Sequence, residues 1–282
     1  MKRRNKEERR IAAIQKELGA IKREEEKLLK AAVRRNTAGA PLSQWKEALE
    51  KKIPGQVEEK LKAAFIKAFV MIFEKGTSVI EKSYKKEEIQ DNYRIKNYAV
   101  EVKSRRRELR SLKKGARAAN LGNLALTAVE GVGLGALGIG LPDIVLFVGM
   151  VLKGVYETSL HYGYDYERPQ ERYLILKLLE ASLAKGEEWN RLNEEIDSWL
   201  ESGVFPEPEE DVIKMQIEKT AGRFALDMLF LKFVQGIPIA GIAAGVGNPI
   251  YYRKVMQYIQ LKYQKRYLYD LYHKALGKTR RT

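Results

Sequence analysis

Cysteine is absent from this chain of 282 residues. Disulfides and thiolate metal sites are therefore excluded, and a reducing compartment suits it. Histidine is nearly as scarce: His161 and His273 are the only two, too few for a histidine-based metal centre. No apolar run follows Lys2, Arg3 and Arg4 near the start, so no secretory signal is expected and a cytoplasmic location is. Sustained period-two alternation bounded by hairpin turns is also missing, which argues against a sheet. No GxxxxGK[ST], GxSxG or HExxH motif occurs, and no cofactor is implied.

What the chain does contain is charged helix. With 45% hydrophobic and 32% charged residues it has the balance of a folded protein. The net charge of +15 sits at the two ends. Residues 1–36 carry 13 Lys/Arg against 6 Glu, and residues 250–282 carry 9 against one Asp, while the middle is neutral. One local exception is the run Lys103, Arg105, Arg106, Arg107, Arg110, Lys113, Lys114 and Arg117, opposed only by Glu108.

Ile11, Ile14, Leu18, Ile21, Leu28 and Ala32 follow a heptad spacing breached only at Glu25. That predicts a helix with a narrow apolar stripe, packed on its own domain or on a second copy through residues 11–32. Asn36 to Pro41 marks a boundary, giving a basic helix over 1–36, a helical domain over 42–276 and a basic tail over 277–282. Further helices are expected from Val57 to Ile72, from about Ser78 to Ala119, from Pro142 to Tyr162, from Pro169 to Ala184, from Glu187 to Leu200 and from about Glu209 to Gln235. Pro249 opens the last one, whose face carries Met256, Ile259, Tyr263, Tyr267 and Leu271. The fold class is all-α: a multi-helix bundle with two glycine-rich apolar helical hairpin segments.

Those two segments are GVGLGALGIG (131–140), followed by Leu141, Pro142 and Asp143, and GIPIAGIAAGVGN (236–248). Glycine costs about 1 kcal/mol against alanine inside a helix, so its concentration calls for turns or close backbone approach. Gly131/Gly135 and Gly241/Gly245 have the spacing that lets helices touch backbone to backbone. Neither stretch makes a simple membrane span, since Asp143 interrupts one and Pro238 and Pro249 break the other. A bent apolar hairpin, buried in protein or shallowly inserted, fits better.

Gly133, Gly135 and Gly138 satisfy GxGxxG, but Pro142 falls where the dinucleotide-binding helix would run and no strand precedes it. Seven of the fifteen tyrosines lie beyond residue 250 among nine basic residues: Arg253, Lys254, Lys262, Lys265, Arg266, Lys274, Lys278, Arg280 and Arg281. Such interleaving suits a packed core, a membrane surface or single-stranded nucleic acid.

From Leu141 onward the pattern resembles the EcsC family of bacterial proteins. The residues that carry the likeness are Pro142-Asp143 opening an apolar helix, the turn Tyr162-Gly163-Tyr164-Asp165, and Pro169, Glu171 and Arg172 leading into another helix. Pro238, Gly241, Gly245 and Asn248 match a later Pro…Gly…Asn element, and Trp45 and Ile53-Pro54 an earlier region, so the likeness spans about 42–272. Arg168 stands where a small polar residue is usual. The resemblance implies a membrane-associated protein linked to an ABC transporter, with no established catalytic residue to carry over.

Gly163 permits a positive φ, and Asp165 is placed to cap the next helix. Glu171 and Arg172 are expected to tie the turn to neighbouring helices, and Asp143 and Asn248 to cap helix starts or line a groove. The expected function is a non-catalytic protein at the inner face of the cell membrane, with the two basic regions on anionic headgroups. The alternatives are a nucleic-acid-binding protein using the basic ends, and an enzyme acting on lipid or peptide near Asp143, Tyr162, Asp165 and Asn248.

Overall fold

The structure is a computed structural model and describes residues 2–37, 55–73, 80–103, 105–126, 142–234 and 249–279. Among them the regular elements are all helices: α1 (Lys2–Thr37), α2 (Gly55–Met71), α3 (Lys86–Lys103), α4 (Arg106–Leu126), α5 (Pro142–His161), α6 (Pro169–Leu183), α7 (Gly186–Ser202), α8 (Glu210–Val234) and α9 (Pro249–Thr279). The all-α expectation holds. Pro142, Pro169 and Pro249 each open a helix, where a missing N–H costs nothing. Both glycine-rich segments, with Pro238, Gly241, Gly245 and Asn248, lie outside the described residues, as do Trp45 and Ile53-Pro54.

One long helix from about residue 78 to 119 does not form. The chain turns after Ile80, whose carbonyl accepts from the Ser83 N–H and Oγ at 2.9 and 2.6 Å, and α3 and α4 are separate. Both pack on α5. An unbroken helix of that span would be about 60 Å long against roughly 30 Å for α5, so only a folded-back pair can lay both halves on it.

α9 is the centre of the bundle and packs on α1, α4, α5, α6 and α7. Its expected stripe of Met256, Ile259, Tyr263, Tyr267 and Leu271 is buried, and so are Tyr252, Val255 and Tyr258 on other sides. Four of its tyrosines are therefore core residues. On α1, Ile14 and Ile21 are buried by the chain's own helices. The same core joins Phe65 and Phe69 of α2 to Phe147 of α5 and Phe224 of α8, with ring centroids 5.6–6.4 Å apart. In α5 the stretch Ile144–His161 is the one described segment long and apolar enough to cross a membrane (mean hydropathy 1.3). Of that stretch 83% is buried inside the bundle, as a core helix would be.

Contacts between side chains fix the direction of each helix. The end of α5 meets the C-terminal half of α9, with Tyr162 on Tyr267 (centroids 5.9 Å) and Tyr164 on Asp270 (2.6 Å), so α5 and α9 run together. α3 also runs with α9, Asn97 bonding Tyr267 and Glu101 bonding Lys274. α4 therefore starts beside the end of α9 and runs back, placing the Ala116 carbonyl 3.3 Å from Gln260. α7 follows α9 through Asn193–Tyr258, Asp197–Lys262 and Glu201–Tyr269. α6 opposes α7, Lys177 reaching Glu195 at 2.8 Å, and α8 follows α6 through Glu180–Gln216 and Lys185–Asp227.

The end of α4, the start of α5, the end of α8 and the start of α9 gather at one pole of the bundle, and these four ends flank both glycine-rich segments. α1 runs parallel to α4, pairing Glu17 with Arg106 and Arg110 and Glu24 with Lys113 and Arg117, so it ends at the same pole. The corner between α3 and α4 lies at the opposite pole.

Candidate functional site

The turn after α5 is a Schellman motif: Tyr164 N–H donates to the Ser159 carbonyl at 2.9 Å and Gly163 N–H to the Leu160 carbonyl at 3.0 Å. Gly163 has φ 82°, and a Cβ there would also overlap the Tyr93 ring. The expectation of a left-handed glycine is met. Asp165 behaves differently from expectation. Its Oδ1 accepts from the Glu167 N–H at 3.1 Å inside the turn, and the residue before α6 is Arg168, which makes no side-chain cap bond. Pro169 already removes one N–H from the first turn of α6, which lessens the need for a cap.

Glu171 is the anchor of the motif. It is buried, accepts from the Tyr263 hydroxyl at 2.6 Å and pairs with Arg266 Nη1 at 2.6 Å. The Arg266 guanidinium lies over the Tyr164 ring at 3.8 Å and over Phe205 at 4.2 Å. Burial works against the Arg266 charge, but Glu171 outweighs it and leaves the pKa above its ordinary value. Burial pushes the Tyr164 and Tyr263 hydroxyls well up, reinforced by Asp270 and Glu171 respectively. These groups therefore stay neutral and act as hydrogen-bond donors. Arg172, expected to share the tie, makes no ion pair among the described residues.

Tyr166, which the sequence reading passed over, is buried and stacks on Tyr156 at 4.2 Å. Its hydroxyl donates to Glu81 and accepts from Tyr84 (2.8 Å), while Lys86 lies 4.9 Å from its ring centroid and bonds Glu81 and Glu167. The turn is thus locked to α9 on one side and to the start of α3 on the other. Its chemistry is that of a clamp.

The basic run of α4 divides by face. Arg106 and Arg110 hold Glu17 (2.6 and 3.1 Å), and Lys113 and Arg117 hold Glu24 (2.7 and 3.4 Å). Their 4,3,4 spacing is one helix face, so half of the run is held in ion pairs within the molecule, two cations to each carboxylate. Lys103, Arg105, Arg107 and Lys114 are exposed. On α9 the expectation of outward cations fails for three residues. Lys262 is wholly buried, Lys265 nearly so, and both pair with Glu25 and Asp197 at 2.6–3.2 Å; Arg266 is taken by Glu171. A helix at the centre of a bundle has no outward face along these turns. Arg253 is exposed and Lys254 half-buried.

The supposed groove of Asp143, Tyr162, Asp165 and Asn248 does not assemble from the described residues. Asp143 is in the first turn of α5, Tyr162 and Asp165 follow its last, about 30 Å away, and Asn248 lies outside the description. Among the described residues no group of three or more His, Asp or Glu side chains is placed to hold a metal ion.

An all-α bundle built on a buried basic C-terminal helix, and clamped through a YGYD turn and the Glu171 that follows it, is the class defined by this geometry. The model of the EcsC protein family matches residues 15–268, and the chain belongs to that family. The match begins inside α1, so the basic N-terminal helix is mostly part of the family region and not an addition to it. Protein EcsC of Bacillus subtilis (strain 168) is 28% identical over 134 residues, which cover 47% of this chain and 52% of that protein. The matched stretch thus spans about half of the relative's length. No solved structure matches the chain.

Proposed function

We propose that the chain is a non-catalytic protein that docks on an anionic membrane surface from the cytoplasmic side, with the pole that flanks both glycine-rich segments turned to the bilayer. The convergence of the end of α4, the start of α5, the end of α8 and the start of α9 at one pole carries the reading, because these are the ends that adjoin the two apolar segments in sequence. Positive charge accompanies them in sequence. The last turns of α1 contain Lys27, Lys30, Arg34 and Arg35, and Arg253 lies in the first turns of α9. Each cation held near an anionic surface contributes about 1 kcal/mol. The exposed cations Lys103, Arg105 and Arg107 belong to the other pole and are not part of this contact. A transporter of the ABC class is the membrane partner that the family resemblance suggests.

Sedimentation with neutral and anionic phospholipid vesicles tests the reading. The expected outcome is binding that prefers anionic vesicles, persists in part at moderate salt, and falls about tenfold or more in Arg34→Gln/Arg35→Gln/Arg253→Gln. Arg105→Gln/Arg107→Gln should bind vesicles as the parent does. Binding lost only in the second variant would reverse the orientation. Absence of vesicle binding, with salt-sensitive binding to DNA or RNA, would instead favour the nucleic-acid alternative.

A further inference from the structure

Three of the large apolar side chains exposed in the described residues belong to one helix. Ile95 and Tyr98 of α3 are each 69% exposed and Val102 is 45% exposed. Their spacing of three and four residues puts them on a single stripe, on the side of α3 away from the buried Val100. Isolated surface apolar residues need no explanation, but an aligned stripe beside like charges does. The stripe runs into the exposed Lys103, Arg105 and Arg107 at the α3–α4 corner. At its other end Asp91 and Arg94 pair with each other at 3.0 Å, and Glu101, between the stripe and the core, is taken by Lys274. Among the described residues, net positive charge is therefore left at the Lys103 end of the stripe.

We propose that this face of α3 docks an amphipathic helix of a partner protein, with an apolar seam over Ile95, Tyr98 and Val102 and acidic residues over Lys103, Arg105 and Arg107. Charge complementarity selects the occupant: the apolar residues supply area, and the three cations require carboxylates at one end of the seam. The face runs along the bundle axis towards the pole opposite the glycine-rich segments.

The test uses the full chain and a fluorescently labelled synthetic amphipathic peptide with leucines along one stripe and glutamates at one end. Anisotropy titration should show saturable binding that is at least about tenfold tighter than for the counterpart with lysine in place of glutamate. Ile95→Ser/Val102→Ser should weaken it roughly tenfold through the lost seam. Arg105→Gln/Arg107→Gln should weaken it and flatten its salt dependence. Because all four positions are exposed, both variants keep the fold, which circular dichroism checks. Equal binding of the two peptides, or no effect of either variant, overturns the proposal. So does loss of vesicle binding in Ile95→Ser/Val102→Ser, which would give the stripe to a membrane. Failure of the vesicle experiment above leaves this titration unaffected, so the two readings fail separately.

Discussion

His161 ends α5 with its Nε2 buried and without a hydrogen-bond partner among the described residues. Burial, with the Lys96 ammonium nearby, pushes its pKa from 6.5 down to about 4. In the unfolded chain the imidazole takes its proton near pH 6.5, whereas the folded chain resists until about pH 4. The contribution to stability is therefore intact above about pH 6.5 and is lost as the pH falls towards 4. A shift of that size corresponds to about 3 kcal/mol over the window. Urea melts of the parent and His161→Gln between pH 7 and 5 check this. The parent's midpoint should fall with pH and the variant's should fall less. Parallel curves would mean that other groups set the acid sensitivity. Of the local readings, the left-handed Gly163 was legible because only backbone conformation is involved. Tyr166 was not, since its partners Glu81 and Tyr84 lie more than eighty residues away.

At the scale of an element, α1 shows what a periodic pattern conveys and what it hides. The stripe of Ile14 and Ile21 is real and buried, and Glu25 looks like its single flaw. In the fold Glu25 is shared by Lys262 and Lys265, whose other carboxylate among the described residues is Asp197. Glu25→Leu repairs the heptad and should nonetheless destabilise the protein by about 3–5 kcal/mol, because it leaves buried ammonium groups underpaired. Equilibrium denaturation measures the loss; a stabilised variant would mean that seam packing outweighs the ion cluster. Helix starts at Pro142, Pro169 and Pro249 were legible for the opposite reason, as proline acts on its own backbone. The break between α3 and α4 had no such marker, since what divides them is the length of α5. The cations of α9 misled for the same reason: side chains paired across more than two hundred residues read as a solvated face.

For the whole molecule, composition and punctuation were enough to specify an all-helical bundle. The directions of the helices were not, because they rest on contacts between distant segments. Those directions separate the pole where α5 and α9 begin from the basic α3–α4 corner. The absence of cysteine makes this separation measurable. Arg253→Cys and Arg107→Cys, each labelled with an environment-sensitive dye, should respond oppositely to anionic vesicles. The dye at 253 should shift to the blue and the dye at 107 should not. Equal shifts at both would mean that the bundle lies flat on the surface.

The central place of α9 also sets an order of events during synthesis. Helices α1, α4, α5, α6 and α7 all close on a segment that the ribosome makes after every one of them. Until residues 249–279 emerge, Glu25, Asp197 and Glu171 have no cation from α9, and the apolar faces around them have no common partner. Residues 249–279 therefore complete a core whose other walls all precede them in the chain.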